Sequence, residues 1–346
     1  MTKNTTSVDK KVKLGLFFPA RNPGLATTIA DNPGFIDEST REGLLERLGN
    51  LENVEVTEGI DFRKAVAVNG KVFVGDTCLN DFDLFAWYAE IDPTPTSYHL
   101  EILETLAKDT VVMSDPSAMR VGLDKYLAHT KLKNAGISVA DFALFPNDIS
   151  SYTKIIPYLN QWGELLIKPR LGSFGQGIIR ISDESTFRDV VGYTRLREEG
   201  NLNLGGGAST VFVEKFYPND TTAWCSTTII GGDLVYGYRK KPEKFVDDWK
   251  VFDENEIGGC VDYIDPSPEH KDLALRAADV MGLDVIGFDI IKTIPDNKLV
   301  IIDENTFPGF YPEIFSQIGK NPAEIFYVAI KKKINTVIEK NNREIK

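Results

Sequence analysis

The sequence predicts an α/β domain at the N-terminus followed by a larger α+β region. Up to about residue 114, short apolar runs alternate with helical segments, which is typical of a small parallel sheet. We predict strands at 14–18, 83–87 and 111–113, with helices at 39–48 and 97–108. Beyond them, several strand-like segments follow one another directly, as in antiparallel sheets.

The second region begins after a Ser-Asp-Pro-Ser segment at 114–117. Its first helix, at about 124–134, ends at Gly136, a residue suited to a helix C-terminus. The further expected strands are 142–145, 164–168, 178–181, 210–216, 223–230 and 234–239, and the further helices are 149–161, 184–199, 268–281 and one from residue 322. We expect three domains, covering 1–114, 115–212 and 213–346.

Composition excludes several classes of function. The net charge of −12 argues against binding to nucleic acids, which requires a basic surface. The first apolar run, 14–18, is too short for a signal sequence or a membrane span. Three scattered cysteines and three scattered histidines give neither a disulfide framework nor an evident zinc site. We therefore expect a cytoplasmic protein that binds neither nucleic acid nor membrane.

A predicted hairpin brings carboxylates together near the C-terminus. Segments 285–292 and 299–305 flank a Pro-Asp-Asn turn, so an antiparallel pairing places Asp289 opposite Asp303. Strand alternation puts Asn305 on the face of Asp303 and turns Glu304 the other way, whereas a register slip would instead promote Glu304. Buried carboxylates require a cation, and this oxygen set suits Mg²⁺. The alternative is a pair of solvated hairpin carboxylates.

A glycine-rich loop at 172–177 lies between two predicted strands. No helix follows it, so it is neither a Rossmann fingerprint nor a Walker loop. Glycine-rich backbone still donates N–H groups to phosphates, and Lys168 just before the loop adds a positive charge. An ordinary hairpin carrying glycine and lysine is the alternative.

In this order, the motifs resemble those of the ATP-grasp superfamily, nearest to the ribosomal-protein glutamate ligases and glutathione synthetases. The resemblance covers about residues 115–335. The matching segments are Asp124-Lys125 with Ala135-Gly136-Ile137, Ile167-Lys168-Pro169, the loop 172–177, Val213-Glu214-Lys215-Phe216, 287–291 and 303–309. Any one of them is weak, but their order and spacing are specific. A two-subdomain ATP-grasp fold is therefore expected after the N-terminal domain.

The resemblance implies a role for each matching position. ATP would be bound by Lys125, Lys168, Gly172, Ser173, Phe174, Gly175, Gly177, Glu214, Lys215, Phe216 and Asp220, and Mg²⁺, or alternatively Mn²⁺, by Asp289, Asp303 and Asn305. Arg239 and Lys168 would be catalytic. Two departures stand out, because the family usually has glutamate at position 303, and D-alanine–D-alanine ligases have an arginine at the position of Gly287.

The function that the resemblance implies is ATP-dependent ligation of a small-molecule carboxylate to an amine through an acyl phosphate. From charge placement, we expect Arg170, Lys240 and Lys241 to contact an amino acid or small peptide. A small-molecule kinase and a non-catalytic nucleotide-binding protein are the alternatives. Homo-oligomers are common in the families that the sequence resembles, so we leave the formation of a homo-oligomer open.

Overall fold

The computed structural model describes residues 11–22, 34–94, 96–147, 149–172, 175, 177–201, 210–241, 249 and 260–344. The strands are β1 (Val12–Phe17), β2 (Val54–Glu58), β3 (Val66–Val68), β4 (Lys71–Val74), β5 (Thr77–Cys78), β6 (Leu84–Trp87), β7 (Val111–Met113), β8 (Phe142–Pro146), β9 (Leu165–Lys168), β10 (Ile179–Ile181), β11 (Thr210–Lys215), β12 (Cys225–Ile230), β13 (Asp233–Lys241), β14 (Cys260–Ile264), β15 (Val285–Lys292) and β16 (Leu299–Asn305). The helices are α1 (Glu38–Gly49), α2 (Tyr98–Leu106), α3 (Pro116–Gly122), α4 (Lys125–Asn134), α5 (Ile149–Trp162), α6 (Glu184–Asn201), α7 (Pro268–Met281), α8 (Pro312–Gln317) and α9 (Pro322–Glu344). Among these helices, none has the length and apolarity needed to cross a bilayer.

The N-terminal region is built on a parallel sheet in the order β2-β1-β6-β7, which confirms the predicted α/β domain. The prediction missed β2 because only Val54 of this edge strand is buried, so its sequence lacks an apolar run. It also missed the small antiparallel sheet β3-β4-β5.

Two antiparallel sheets form the rest of the molecule. The second sheet has the order β10-β9-β11-β8, and the third has the order β14-β13-β12-β15-β16. Within the third sheet, β15 pairs with β16 so that Asp289 lies opposite Asp303, which confirms the predicted register. The division into three domains stays a prediction, although its boundary at 212/213 falls inside β11, which pairs along its length within the second sheet.

Some short elements were missed because their signals resemble those of loops. Helix α3 occupies the segment interpreted as a boundary, since the Asp115 side chain accepts a hydrogen bond from the Ala118 N–H and Pro116 opens the first turn. Strand β14 and helix α8 were also not predicted.

The C-terminal helix α9 packs against the N-terminal sheet. Phe326 is fully buried, and its ring lies 5.5 Å from that of Phe18 and 5.3 Å from that of Tyr88. At the start of the helix, Glu324 forms a 2.7 Å ion pair with Arg47 of α1. The two ends of the chain therefore share one core.

Replacing Phe326 with alanine should lower the free energy of unfolding by about 3–5 kcal/mol, because a large aromatic side chain leaves a cavity between α9 and the N-terminal sheet. Val328→Ala on the same helix is the control. Val328 is 38% exposed, and its loss should change stability by less than about 0.5 kcal/mol. Urea denaturation measures both, and equal effects would contradict the shared core.

Candidate active site

A set of buried ionisable side chains lies where helix α4, the second sheet and the hairpin β15–β16 meet. We call this set the buried charge cluster; its members are Lys125, His129, Lys168, Glu214, Asp303 and Glu304. Each of the three elements contributes two of these residues. Charges of opposite sign face one another throughout the cluster, as burial away from water requires.

Lys168 and Glu214 join neighbouring strands of the second sheet. The Lys168 ammonium lies 2.6 Å from a Glu214 carboxylate oxygen and donates a 2.9 Å hydrogen bond to the carbonyl of Ile302 on β16. Burial by itself raises the pKa of the Glu214 carboxyl, but Lys168 and His129 outweigh it, so the pKa lies below its ordinary value. Glu214 is therefore an anion, and Lys168 ties the second sheet to the hairpin.

Lys125 is placed by the start of helix α4. The Asp124 side chain accepts hydrogen bonds from the N–H groups of Tyr126 and Leu127, which fixes the first helical turn. The Lys125 ammonium then reaches Asp303 and donates a hydrogen bond to it. Burial lowers the pKa of Lys125, but the Asp303 carboxylate outweighs burial and raises it overall. The lysine is therefore held in its charged form beside the hairpin.

His129 was missed at the sequence level. Its Nδ1 lies 2.8 Å from Glu304 Oε1, and its Nε2 lies 3.3 Å from Glu214 Oε1. The ring is 0% exposed; burial lowers its pKa, but the two carboxylates raise it to about 10. The available signal was its position four residues after Lys125, which puts both side chains on one face of α4.

Asp289 occupies the neighbouring part of the hairpin. Its carboxylate accepts a 2.6 Å hydrogen bond from the Ser226 hydroxyl and a 3.1 Å hydrogen bond from the Lys240 ammonium. Burial lowers the pKa of Lys240, but Asp289 outweighs it, so the net shift is upward. The Asp289 carboxylate is therefore paired with a cationic side chain of the protein, that of Lys240.

The oxygen atoms of the hairpin fit a divalent cation that also binds phosphate. Asp289 and Asp303 are cross-strand partners, and alternation places Asn305 on the same face. Glu304 points to the opposite side, towards His129, as predicted. Within the described residues, no group of three or more His, Cys, Asp or Glu side chains is placed to hold a metal. Two carboxylates and an amide suit Mg²⁺ when phosphate oxygens complete its shell.

Gly287 leaves no room for a side chain on this face. A Cβ atom there would lie 2.2 Å from the carbonyl oxygen of Thr227 and 2.7 Å from Cβ of Pro308. An arginine like that of the D-alanine–D-alanine ligases is therefore sterically excluded from this position.

Lys240, which we expected to contact the substrate, contacts Asp289. The register pairs Tyr238 with Ser226 and Ser226 with Asp289, so that Lys240 shares their face and Arg239 points to the other face. The catalytic role that the resemblance gives to Arg239 stays a prediction, and the face it lies on does not carry Asp289.

The other basic residues assigned to the substrate have partners within the protein. Arg170 makes hydrogen bonds of 2.5 and 3.2 Å to the two carboxylate oxygens of Asp124, and its guanidinium lies 5.6 Å from the centre of the Tyr126 ring. Lys241 forms an exposed ion pair with Asp262. Arg170 therefore supports the start of α4, and Lys241 lies at the surface.

The end of β11 and the segment after it contain the residues expected to bind adenine and ribose. The Phe216 N–H donates a 3.1 Å hydrogen bond to the Glu164 carbonyl, and the Arg180 guanidinium lies 4.0 Å from the Phe216 ring centre. The Lys215 ammonium lies 4.8 Å from the Tyr217 ring centre. The Asp220 carboxylate accepts hydrogen bonds from the N–H and hydroxyl of Thr222.

The glycine-rich loop is described at Gly172, Gly175 and Gly177, whereas Ser173 and Phe174 lie outside the described residues. Gly177 has φ of +72°, and a Cβ there would lie 2.7 Å from the Pro169 side chain. Glycine is therefore required at this position for both the backbone conformation and the space.

The sheets and the charged residues between them define an ATP-grasp protein. Residues 122–323 match the RimK-like ATP-grasp domain, so the chain belongs to this family. It is 23% identical over 177 residues to a probable alpha-L-glutamate ligase of Hydrogenovibrio crunogenus, covering 51% of this chain and 52% of that protein. It is also 25% identical over 202 residues to a probable alpha-L-glutamate ligase 1 of Hahella chejuensis, covering 58% of this chain and 59% of that protein.

The fold is also seen in solved structures. A RimK domain ATP-grasp protein from Sphaerobacter thermophilus superposes with a TM-score of 0.59 at 15% identity, covering 92% of this chain and 99% of that one. This likeness confirms the predicted ATP-grasp fold. The chain spans between about half and three-fifths of the length of the Hydrogenovibrio crunogenus and Hahella chejuensis relatives.

His129 should remain doubly protonated well above neutral pH. With its pKa raised from 6.5 to about 10, it contributes stability that is fully present below pH 6.5 and lost as the pH rises towards 10. Long-range ¹H–¹⁵N NMR at pH 8 should show both ring nitrogens of His129 protonated. His99 and His270, whose pKa values are lowered mainly by burial, should be neutral there. A neutral His129 at pH 8 would contradict the ion pairs.

Proposed function

We propose that the protein is an ATP-dependent carboxylate–amine ligase. The observation that carries the proposal is the pairing of Lys125 and Lys168 with carboxylates directly beside the oxygen-rich face of Asp289, Asp303 and Asn305. Such a site neutralises the charge of transferring phosphate without a nucleophilic side chain. Membership of the RimK-like ATP-grasp family and relatives named alpha-L-glutamate ligase support this reaction class.

The lysines would bind the phosphates of ATP. An ammonium group has three N–H donors, and within the described residues Glu214 and the Ile302 carbonyl use two of those of Lys168. The third remains for a phosphate oxygen. Gly172, Gly175 and Gly177, with Ser173 and Phe174, would close over the phosphates, as the family resemblance implies.

The adenosine would lie along the end of β11 and the segment after it. We assign adenine recognition to the backbone of Glu214, Lys215 and Phe216, and ribose binding to Asp220. The Asp220 carboxylate is partly exposed at the start of the turn and accepts hydrogen bonds from Thr222, which keeps it in place. ATP is therefore expected to extend from this segment towards the hairpin.

Asp289, Asp303 and Asn305 would hold Mg²⁺, for which Mn²⁺ can substitute. The ion would neutralise charge on the phosphates while the lysines orient them. Asp303 is held by Lys125, and Asp289 by Ser226 and Lys240, so their oxygens are fixed before the nucleotide binds. Fixed ligands of this kind reduce the reorganisation that the reaction requires.

In the proposed reaction, an oxygen of the substrate carboxylate attacks the γ-phosphorus of ATP, and the bond to ADP breaks. The amine nitrogen then attacks the acyl carbon, phosphate leaves, and the nitrogen loses a proton. The products are an amide, ADP and phosphate. The resemblance gives the stabilisation of the transferred phosphoryl group to Arg239. We assign this role to Lys240, because its ammonium contacts Asp289.

The substrates would be an amino acid or small peptide and an amine, and the names of the relatives make glutamate the first acid to test. The N-terminal region borders the hairpin, because Phe307, two residues after Asn305, stacks on Phe35 at 4.8 Å. This contact supports a contribution of the N-terminal region to the substrate pocket.

A cytoplasmic location is also proposed, supported by free thiols at Cys78 and Cys225.

Hydroxamate formation tests the proposed activity. The wild-type protein with MgATP, hydroxylamine and pooled amino acids, glutamate included, should form a hydroxamate from one pool. Asp303→Asn should lower this rate by about 10²-fold or more, because one of the two carboxylates proposed to hold Mg²⁺ against the phosphates is lost. A phosphoester formed without an amine would indicate a kinase, and MgATP binding without turnover would indicate a binding protein; either result would refute the ligase.

Lys240→Met should lower kcat by about 10²-fold, because a cation beside the transferring phosphoryl group is removed. Lys241→Met is the matched control on the same strand, and it should stay within about twofold because its ammonium pairs with Asp262 at the surface. Steady-state ADP release measures both. Equal rates for the two variants would refute the role of Lys240.

A further inference from the structure

His129 connects two parts of the molecule that sequence places far apart. One ring nitrogen faces Glu214 on β11, and the other faces Glu304 on β16. These strands belong to different sheets, and α4 carries the histidine between them. The ring therefore bridges the strand proposed to bind adenine and the hairpin proposed to bind metal.

The surroundings leave the imidazole one orientation. The rings of Phe142 and Phe212 lie edge-on to it, with centroids at 5.4 and 5.9 Å. Both carboxylates are within ion-pair distance, so a doubly protonated ring between them offsets buried negative charge on both sides. Turning the ring would remove both ion pairs; Glu214 would keep Lys168, but within the described residues the buried Glu304 carboxylate would have no ion pair left, which is costly.

The ion pair with Glu304 also determines the direction of its neighbours. Successive side chains of a strand point to opposite faces, so holding Glu304 on the face of His129 puts Asp303 and Asn305 on the opposite face of the strand. The Glu304 N–H further donates a 3.2 Å hydrogen bond to the Asp303 carboxylate. Glu304 is therefore an anchor of the hairpin, and its burial opposes the register slip that would expose it.

We infer that His129 is a positioning residue of the nucleotide site: by clamping Glu214 to Glu304, it fixes the adenine-binding strand relative to the metal-binding face of Asp303 and Asn305. This inference rests on the proposed ATP site but not on the ligation step. It assigns His129 no contact with the nucleotide. Its removal should weaken the binding of a ligand that must reach both strands at once.

The test is calorimetric titration of the full chain with MgADP. His129→Gln should raise Kd by about tenfold or more, the effect typical of losing a group that orients metal ligands. His99→Gln is the matched control, since that half-buried ring accepts a 3.0 Å hydrogen bond from the Asp92 N–H in the N-terminal region, outside the buried charge cluster, and its Kd should stay within about twofold. Circular dichroism establishes that the variants are folded.

The binding stoichiometry separates positioning from a purely structural role. If His129 only stabilised the fold, His129→Gln would lower the fraction of binding-competent protein at an unchanged Kd, and this result would overturn the inference. The expected result is full stoichiometry with weaker binding.

A second variant, His129→Gln with Glu304→Gln, keeps the test decisive should the single variant fail to fold. Removing one buried negative charge together with the cation should restore stability, while the missing ion-pair clamp should keep Kd raised. A wild-type Kd in this double variant would overturn the inference.

Different results would refute the proposed ligase activity and the proposed positioning role of His129. Wild-type protein that binds MgADP but never forms a hydroxamate would refute the ligase and leave the role of His129 standing. Normal hydroxamate formation with an unchanged Kd in His129→Gln would refute the positioning role and leave the ligase standing.

Discussion

The arrangement of the molecule around its candidate site depends on one constraint, which is that charges buried between α4, the second sheet and the hairpin must be paired. Removing a charged group from water costs several kcal/mol, and only close partners of opposite charge offset that cost. Lys168 meets Glu214 at 2.6 Å, and His129 meets Glu304 at 2.8 Å, across different elements. The elements therefore have few alternative arrangements in which every charge keeps a partner.

The same pairing prepares the site for phosphate. Lys125 lies beside Asp303, which raises its pKa, so burial does not neutralise it. Positive charges that are already held in place require little rearrangement when an anionic nucleotide binds, and this property favours electrostatic catalysis. Structural pairing and the proposed phosphate binding thus use the same lysines, Lys125 and Lys168.

The sequence was informative where periodicity decides geometry. The hairpin register, with Asp289 opposite Asp303 and Glu304 turned away, followed from a turn signal and strand alternation. The faces of Arg239 and Lys240 were not predicted, because a shift of one residue in the phase of β13 exchanges them. Weakly apolar elements such as β2 gave too little pattern to be predicted.

Long-range pairing was beyond the sequence. Arg170 was assigned to a substrate because nothing local shows that Asp124, at a separation of 46 residues, binds its guanidinium. His129 was interpreted as an isolated histidine, since its partners Glu214 and Glu304 lie on distant strands. Buried ion pairs of this kind are properties of the folded molecule and become visible only when the sheets are assembled.

The most direct test of this account is a crystal structure of the full chain with MgADP. The account predicts a metal ion coordinated by Asp289, Asp303 and Asn305, with Glu304 still paired to His129 and the Lys168 ammonium on a phosphate oxygen. A metal ion bound by Glu304, with the imidazole of His129 released from it, would contradict the account.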